Sequence, residues 1–215
     1  MAYRATEHTL AKKAGTRERI LKEARALVAQ GGFAAAAVAQ VASRSDIATG
    51  TIYRHFPSKA ELVAEVFRHA TERELSAVTT ATQEGESCRQ RLLNAVDTFA
   101  DRALRAPRLA YALIAEPVDP LVEKERLSYR FAYAEAFEDL INEGVSKEEF
   151  VPQNASISAA ALVGMLSEAL VGPLAPQVES TGEQLVHPSS LSDTEKATLI
   201  EQIKALALRS VAGTV

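Results

Sequence analysis

The side chains best suited to binding chemistry in this sequence are concentrated in residues 45–62, which read SDIATGTIYRHFPSKAEL. Hydroxyl, imidazole, guanidinium and ammonium groups follow one another there, and Gly50 stands near the start of a segment that the pattern predicts as a short helix. A glycine inside a helix costs about 1 kcal/mol relative to alanine. Because natural sequences depart from local stability rules mainly at functional sites, we expect this segment to contact another molecule.

Helical spacing of apolar residues dominates the sequence and strand patterns are nearly absent, so we predict an all-α fold. Thr16 is predicted to cap a first helix that ends at residues 31–32, where two glycines follow each other. Two short helices are predicted over residues 38–43 and 48–56. Asp46 lies in the turn between them, because aspartate tolerates the left-handed backbone conformation better than most residues.

The remainder of the chain is predicted to contain longer helices. Ser58 and Glu61 form a Ser-x-x-Glu capping box that opens the fourth helix, and Ser192 and Glu195 repeat the pattern before the last one. Gly144 is predicted to end the longest helix. The predicted helices after the fourth span residues 92–103, 109–116, 121–143, 157–171 and 193–211. We place a domain boundary near residue 75, which gives domains of residues 1–75 and 76–215.

The charge of the chain is divided unevenly. Its net charge is −4, but residues 1–69 hold eleven Lys/Arg against six Asp/Glu, while residues 70–215 hold thirteen against twenty-two. The first part therefore carries +5 and the remainder −9. A basic segment beside an acidic remainder indicates a polyanionic partner for the first part only. Uneven scatter of surface charge is the alternative that these numbers leave open.

Several classes of protein find no support in the sequence. No apolar run approaches eighteen residues, so we predict no transmembrane helix and no membrane partner. The N-terminus has no apolar segment typical of a secretory signal, and a single cysteine fits a reducing cytoplasm. No catalytic motif is present, and His69 and His187 are isolated, so neither an enzyme nor a metal site is expected. Cys88 stands near two arginines, and a minor hypothesis gives it a lowered pKa and a redox role.

Three short helices with a tight turn before the third are the plan of a helix-turn-helix domain, whose third helix enters the DNA major groove. In that setting Gly50 allows close approach of the backbone, and the neighbouring threonines offer hydroxyl and methyl groups to phosphates and thymines. Tyr53 can lie along the DNA backbone, and His55 and Lys59 can hold phosphates. The predicted DNA-contacting residues are Arg44, Ala48, Thr49, Gly50, Thr51, Tyr53, Arg54, His55 and Lys59.

The segments TRERILKEARALVAQGGF and VAQVASRSDIATGTIYRHFPSKAELV resemble the N-terminal domain of the TetR-type bacterial transcriptional repressors. The resemblance covers about residues 16–67. Its most specific part is TGTIYRHFPSKAEL, which is similar to the family's Gly-Thr-aromatic-x-His-Phe-x-x-Lys-x-x-Leu signature. The resemblance implies a homodimer on a roughly palindromic operator, released from DNA when a small molecule binds the C-terminal helical domain. By analogy, the helices at 157–171 and 193–211 form the dimer interface; ordinary core helices of a monomer are the alternative.

Tyrosines and phenylalanines on the predicted C-terminal helices are candidates for contacting such a molecule. Tyr129, Tyr133 and Phe137 recur every four residues and so share one face of a helix. A stripe of this kind is either core packing or the wall of a cavity, and a buried tyrosine hydroxyl can address a polar group of a ligand. The candidate ligand-binding residues are Phe99, Tyr111, Arg126, Tyr129, Tyr133, Phe137 and Met165.

The sequence therefore predicts a DNA-binding regulator, without a cofactor, whose effector and operator it does not identify. A second hypothesis is a helical interaction or carrier protein whose basic domain meets a protein or membrane surface. An enzyme is a third hypothesis.

Overall fold

Helices account for nearly all of the chain that the structure describes, which confirms the predicted all-α class. The computed structural model describes residues 7–178, 185–186 and 191–213. The helices are α1 Glu7–Ala35, α2 Val38–Arg44, α3 Thr49–His55, α4 Lys59–Ala81, α5 Cys88–Arg105, α6 Pro107–Ile114, α7 Pro120–Ser146, α8 Ala155–Leu174 and α9 Asp193–Ala212. Two short strands, β1 Gln177–Val178 and β2 Leu185–Val186, pair antiparallel between α8 and α9.

The first helix is longer than predicted and is broken near its end. Thr16 lies inside α1, where its hydroxyl donates to the Lys12 carbonyl oxygen at 3.0 Å, so the prediction that it caps the helix is wrong. The break falls at the two glycines, and Gly32 has a φ of +72°. After the break, Phe33 stacks on Phe67 of α4 with ring centroids 6.2 Å apart.

The predicted helix-turn-helix is present. α2 and α3 are joined by a turn in which Asp46 has a φ of +51°, which confirms the left-handed conformation expected of it. The core beneath this turn is formed by residues of α1 to α4, including Ile20, Val41 and Ile52. Residues from α6 and α7, among them Leu109, also pack into this core.

α4 runs without interruption from the N-terminal core into a second core. Its first residues follow Ser58, whose hydroxyl accepts a hydrogen bond from the Glu61 amide at 3.1 Å, as the capping pattern predicts. Leu62 belongs to the first core and Val78 to the second, which α5, α7, α8 and α9 complete. The predicted domain boundary near residue 75 thus falls inside α4, and it stays a prediction.

Of two predictions for the C-terminal part, the one for Gly144 is wrong and the one for Ser192 is confirmed. Gly144 does not end α7, because the helix continues to Ser146. A Cβ at Gly144 would lie 2.1 Å from the ring of Phe150, so glycine is required there for packing rather than for helix termination. The Ser192–Glu195 capping box of α9 is confirmed in both directions.

α8 is the most apolar of the described helices. It is long enough to cross a membrane, with a mean hydropathy of 1.6 over its most apolar window, although no such segment was predicted. Leu162, Leu166 and Leu170 are nevertheless buried in the C-terminal core. α8 therefore packs as a core helix on one side and leaves its other side uncovered in the single chain.

Candidate functional site

α3 carries the candidate DNA-contacting residues on the side that faces away from the core. Ile52 is 1% exposed and Phe56, directly after the helix, is 3% exposed, so these two side chains fix α3 on the N-terminal core. Of the predicted contact residues on this segment, Ala48, Thr49, Gly50, Tyr53 and Arg54 are exposed, whereas Thr51 and His55 are half-buried. The result is a short, polar and largely uncovered helix face.

Nothing among the residues that the structure describes requires a glycine at position 50. The residue lies in a regular helix, and its φ is outside the left-handed range. A Cβ built on Gly50 meets no atom of the described part of the chain within 4 Å, so packing does not exclude a side chain either. An exposed helical glycine lowers stability relative to alanine, and neither the conformation nor the packing of Gly50 accounts for its presence.

Arg44 and Lys59 stand on the two sides of α3 and differ in their freedom. The Arg44 guanidinium donates to the Gln30 side chain at 2.9 Å and lies 3.7 Å from the Glu23 carboxylate, so α1 holds it in the isolated protein. Lys59 is exposed at the first position of α4 and makes no ion pair with the described residues. Lys59 is therefore free to meet a phosphate, whereas Arg44 must first leave α1.

His55 lies in a positively charged corner between α1 and α3. The Arg17 guanidinium sits 5.1 Å from the centroid of the Phe56 ring and donates to Glu65 at 2.5 Å. His55 is next to the same ring, and its Nδ1 is buried without a hydrogen-bond partner among the described residues. Burial, together with Lys13 and Arg17, lowers the pKa of His55. The two α1 cations were not among the predicted site residues, because only the fold brings them to α3.

A cavity of about 100 Å³ lies within the C-terminal bundle, between α4, α5, α6, α7 and α8. Four of the seven candidate ligand-binding residues line it, namely Phe99, Arg126, Tyr129 and Tyr133. The other three do not line it. Phe137 is fully buried in the C-terminal core, and Tyr111 and Met165 pack partly buried against that core. The Phe99 and Tyr133 rings meet edge to face, with centroids 5.8 Å apart.

Arg126 is a buried structural anchor as well as a wall of the cavity. Its guanidinium donates to the carbonyl oxygens of Leu113, Ala112 and Glu116 at 3.0, 3.2 and 2.8 Å. It also pairs with the Glu123 carboxylate at 2.5 Å. Burial lowers the pKa of Arg126. The side chain thus satisfies the free carbonyl groups at the end of α6, which were not foreseen as its partners.

Two phenols and one ion pair are among the polar groups that line the cavity, together with Thr71, Arg126, Arg130 and Ser167. The Tyr129 hydroxyl donates to the Arg68 carbonyl oxygen at 3.3 Å, and burial raises the pKa of Tyr129 to about 12. Burial also raises the pKa of Tyr133. Arg102 donates to both carboxylate oxygens of Glu74, at 2.6 and 3.1 Å. Both phenols are neutral at physiological pH and can act as hydrogen-bond donors.

Cys88 is not the reactive thiol of the redox hypothesis. It is fully buried, and burial together with Glu149 and Glu143 raises its pKa, so the expected lowering is wrong. Among the residues that the structure describes, no group of His, Cys, Asp or Glu side chains has the arrangement of a metal site. His187 lies outside the described residues.

The uncovered side of α8 is largely apolar or built from small residues, whereas α9 exposes Leu206 among charged and polar residues such as Glu201 and Arg209. Ile157 is 68% exposed and Leu206 43% exposed. Ala160, Ala161 and Gly164 are exposed on α8, and a Cβ at Gly164 would meet nothing within 4 Å. These two helices are the ones predicted to form a dimer interface.

The N-terminal part of the chain is similar in sequence to known bacterial regulators. Residues 20–66 match the model of the bacterial regulatory proteins of the tetR family. The HTH-type transcriptional repressor KstR of Mycolicibacterium smegmatis is 35% identical over 97 residues, which are 45% of this chain and 48% of that repressor. The chain thus spans about half the length of this curated relative.

Two solved structures share the fold over nearly the whole length. The fatty acid degradation regulator FadR from Bacillus halodurans has a TM-score of 0.70 at 18% identity, covering 90% of this chain and 94% of that one. FadR from Bacillus subtilis in complex with stearoyl-CoA has a TM-score of 0.69 at 14% identity, covering 92% and 99%. At these identities the likeness is one of fold.

Proposed function

We propose that this chain, whose N-terminal domain belongs to the TetR family of bacterial regulatory proteins, is a transcriptional repressor that binds duplex DNA through α3. The observation that carries the proposal is Gly50. It is exposed, lies in regular helix and has open space where a side chain would stand. A bare backbone flanked by two threonine hydroxyls suits a surface that must come close to a phosphate chain or a base edge.

The proposal includes a homodimer formed through α8 and α9. A symmetric operator has two half-sites, and a two-fold symmetric protein presents one recognition helix to each. The exposed Ile157, the alanines after it and Gly164 supply an apolar face whose small residues permit close helix approach. Pairing this face with its symmetry mate would cover the apolar side that α8 leaves open in the single chain.

We further propose that a small molecule enters the cavity between α4 and α8 and releases the repressor from DNA. The recognition helices of a dimer must stand about 34 Å apart, or a multiple of that, to engage both half-sites. A ligand changes that spacing only if its affinity differs between the DNA-bound and released conformations. The Bacillus subtilis regulator of similar fold was solved in complex with stearoyl-CoA, which supports a small-molecule ligand for this chain. We place the protein in the cytoplasm and assign it no catalysis.

The Gly50→Ala variant tests the proposal, because it separates stability from binding. Alanine fits the open space and favours the helix, so the free energy of unfolding should stay the same or rise by up to about 1 kcal/mol. Affinity for promoter fragments from the gene's own neighbourhood should fall about tenfold or more in mobility-shift titrations.

Gly15→Ala is the matched control, since Gly15 is also an exposed helical glycine with open space around it and lies outside α3 and the proposed dimer interface. That variant should bind DNA like the parent protein. If Gly50→Ala binds as tightly as Gly15→Ala, then α3 is not the DNA-contacting surface. If the parent protein shifts no promoter fragment, the chain is an interaction or carrier protein instead.

A further inference from the structure

Arg17 of α1 packs beside the end of α3 and is held there by a carboxylate of α4. Its guanidinium donates to Glu65 at 2.5 Å and lies 5.1 Å from the centroid of the Phe56 ring. Phe56 directly follows α3, and its ring centroid is 6.5 Å from that of His55. The Arg17 side chain is 41% exposed, so its guanidinium can leave Glu65 without unpacking the core.

Glu65 divides its charge between two arginines. One of its carboxylate oxygens accepts from Arg17, and the other accepts from Arg68 of the same helix. Arg68 also pairs with Glu125 of α7 at 2.6 Å. Arg68 therefore keeps a carboxylate when Glu65 is neutralised, whereas Arg17 has no second carboxylate partner among the described residues. Glu65 is thus the group that decides where the charge of Arg17 lies.

A phosphate would compete effectively with Glu65 for Arg17. Lys13 precedes Arg17 by four residues, so the two cations lie on the same side of α1, and Lys13 is exposed. This local positive charge attracts a polyanion. An ion pair between partly exposed side chains contributes little to stability. A guanidinium, in contrast, can bind a phosphate through two parallel hydrogen bonds.

We propose that Arg17 binds a DNA phosphate in the complex, and that Glu65 weakens this contact by competing with the phosphate for the guanidinium. This rests on the proposed DNA-binding role of α3. Complex formation then breaks one ion pair inside the protein and forms one with the DNA backbone, so the net gain from Arg17 is small. A neutral side chain at position 65 removes the competition and leaves the phosphate contact.

The Glu65→Gln variant tests the competition, because glutamine keeps the size of the side chain and removes its charge. Fluorescence anisotropy of the full-length protein with a promoter duplex from the gene's own neighbourhood measures the affinity at constant ionic strength. We expect Glu65→Gln to bind about fivefold more tightly than the parent protein. Glu18→Gln removes one negative charge at an exposed position of α1 and is the control for net charge. Its affinity should rise by less than about twofold.

A second pair of variants separates a contact made by Arg17 from the effect of its charge at a distance. Arg17→Gln and Arg19→Gln, each made in the Glu65→Gln protein, have equal net charge, and Arg19 is exposed on α1. Arg17→Gln should abolish the gain in affinity. It should also lower the salt slope, the change of log affinity with log salt concentration, by about one. Arg19→Gln should keep most of the gain and the same slope.

Circular dichroism of each variant checks that the helices are retained. The inference is overturned if Glu65→Gln gains no more affinity than Glu18→Gln, or if the Arg17 and Arg19 double variants bind the duplex equally. Either result can occur while the parent protein still binds DNA, and then the repressor function stands without this contact. If the parent protein binds no promoter fragment, the proposed function fails and this inference fails with it.

Discussion

Arg108 and Glu116 hold the break in α1 from both sides. Arg108 stands at the beginning of α6, and Glu116 lies just past its end. Arg108 donates to the carbonyl oxygen of Gly31 at 2.8 Å, and Glu116 accepts from the amide of Phe33 at 3.2 Å. The two side chains lie 3.9 Å apart and are nearly buried. The opposite face of α6 lines the cavity within the C-terminal bundle. One short helix therefore touches both the cavity and the entry to the DNA-binding helices.

Gly32→Ala should disturb this arrangement. The φ of Gly32 is +72°, and a Cβ there would lie 2.3 Å from the side chains of Arg108 and Glu116. The left-handed conformation alone costs a residue with a side chain about 1–2 kcal/mol. We expect the free energy of unfolding, measured by urea titration, to fall by at least that amount. A variant as stable as the parent would show that the break tolerates a side chain.

DNA binding should be linked to proton uptake at His55. In the free protein its pKa is below the ordinary value of about 6.5, so the ring is neutral at pH 7 and the folded state loses stability as the pH falls below that value. A DNA phosphate beside the ring would favour its protonated form. Affinity should therefore increase as the pH falls from about 7.5 to about 6, by at most about tenfold per pH unit for one proton.

Fluorescence anisotropy with a promoter duplex at constant ionic strength measures this linkage. His55→Gln removes the titrating ring, while the exposed His69 on α4 stays in place in both proteins. The pH dependence should be smaller in the variant. Equal slopes in the two proteins would mean that His55 does not meet a phosphate.

Gly144→Ala should destabilise the C-terminal bundle. The added methyl group would collide with the ring of Phe150, which is 3% exposed and cannot move into solvent without leaving the core. Overpacking of this kind costs about 1–3 kcal/mol. Thermal and urea unfolding should both report the loss, whereas Gly15→Ala, with open space, should show none. Equal stability of the two variants would contradict the packing role given to Gly144.

Gly164→Arg should separate the proposed dimer without unfolding its protomers. The position is open in the single chain, so the side chain fits there, but two copies would meet at the symmetric α8 interface. Sedimentation velocity should show a monomer with unchanged helical circular dichroism. Thr80→Arg, at an exposed position of α4, is the control and should remain a dimer. A dimeric Gly164→Arg protein would place the interface elsewhere.

The sequence was sufficient where a structure depends on neighbouring residues. The turn at Asp46 and the capping box at Ser192 follow from residues within a few positions of each other, and both are present. Thr16 failed because the amphipathic pattern does not show how far a helix extends beyond its buried stripe. The first turns of α1 make few core contacts and so leave little trace in that pattern.

Other features could not be predicted from the sequence, because they depend on contacts between separate structural elements. The role of Gly144 is set by Phe150, which folds back onto α7 from beyond its end. Arg126 is buried because the end of α6 needs donors, and no spacing rule links them. Phe137 shares a helical stripe with Tyr133, yet it points into the core below the cavity, since a long helix passes more than one environment.

The unbroken course of α4 gives it the property of a lever. Its 23 residues make a rod about 35 Å long, at a rise of 1.5 Å per residue. A tilt of about 5° around its far end would carry its start, and the recognition helix beside it, sideways by about 3 Å. In a dimer the two displacements add, so a small change in the C-terminal bundle produces a larger change in the distance between the two α3 helices.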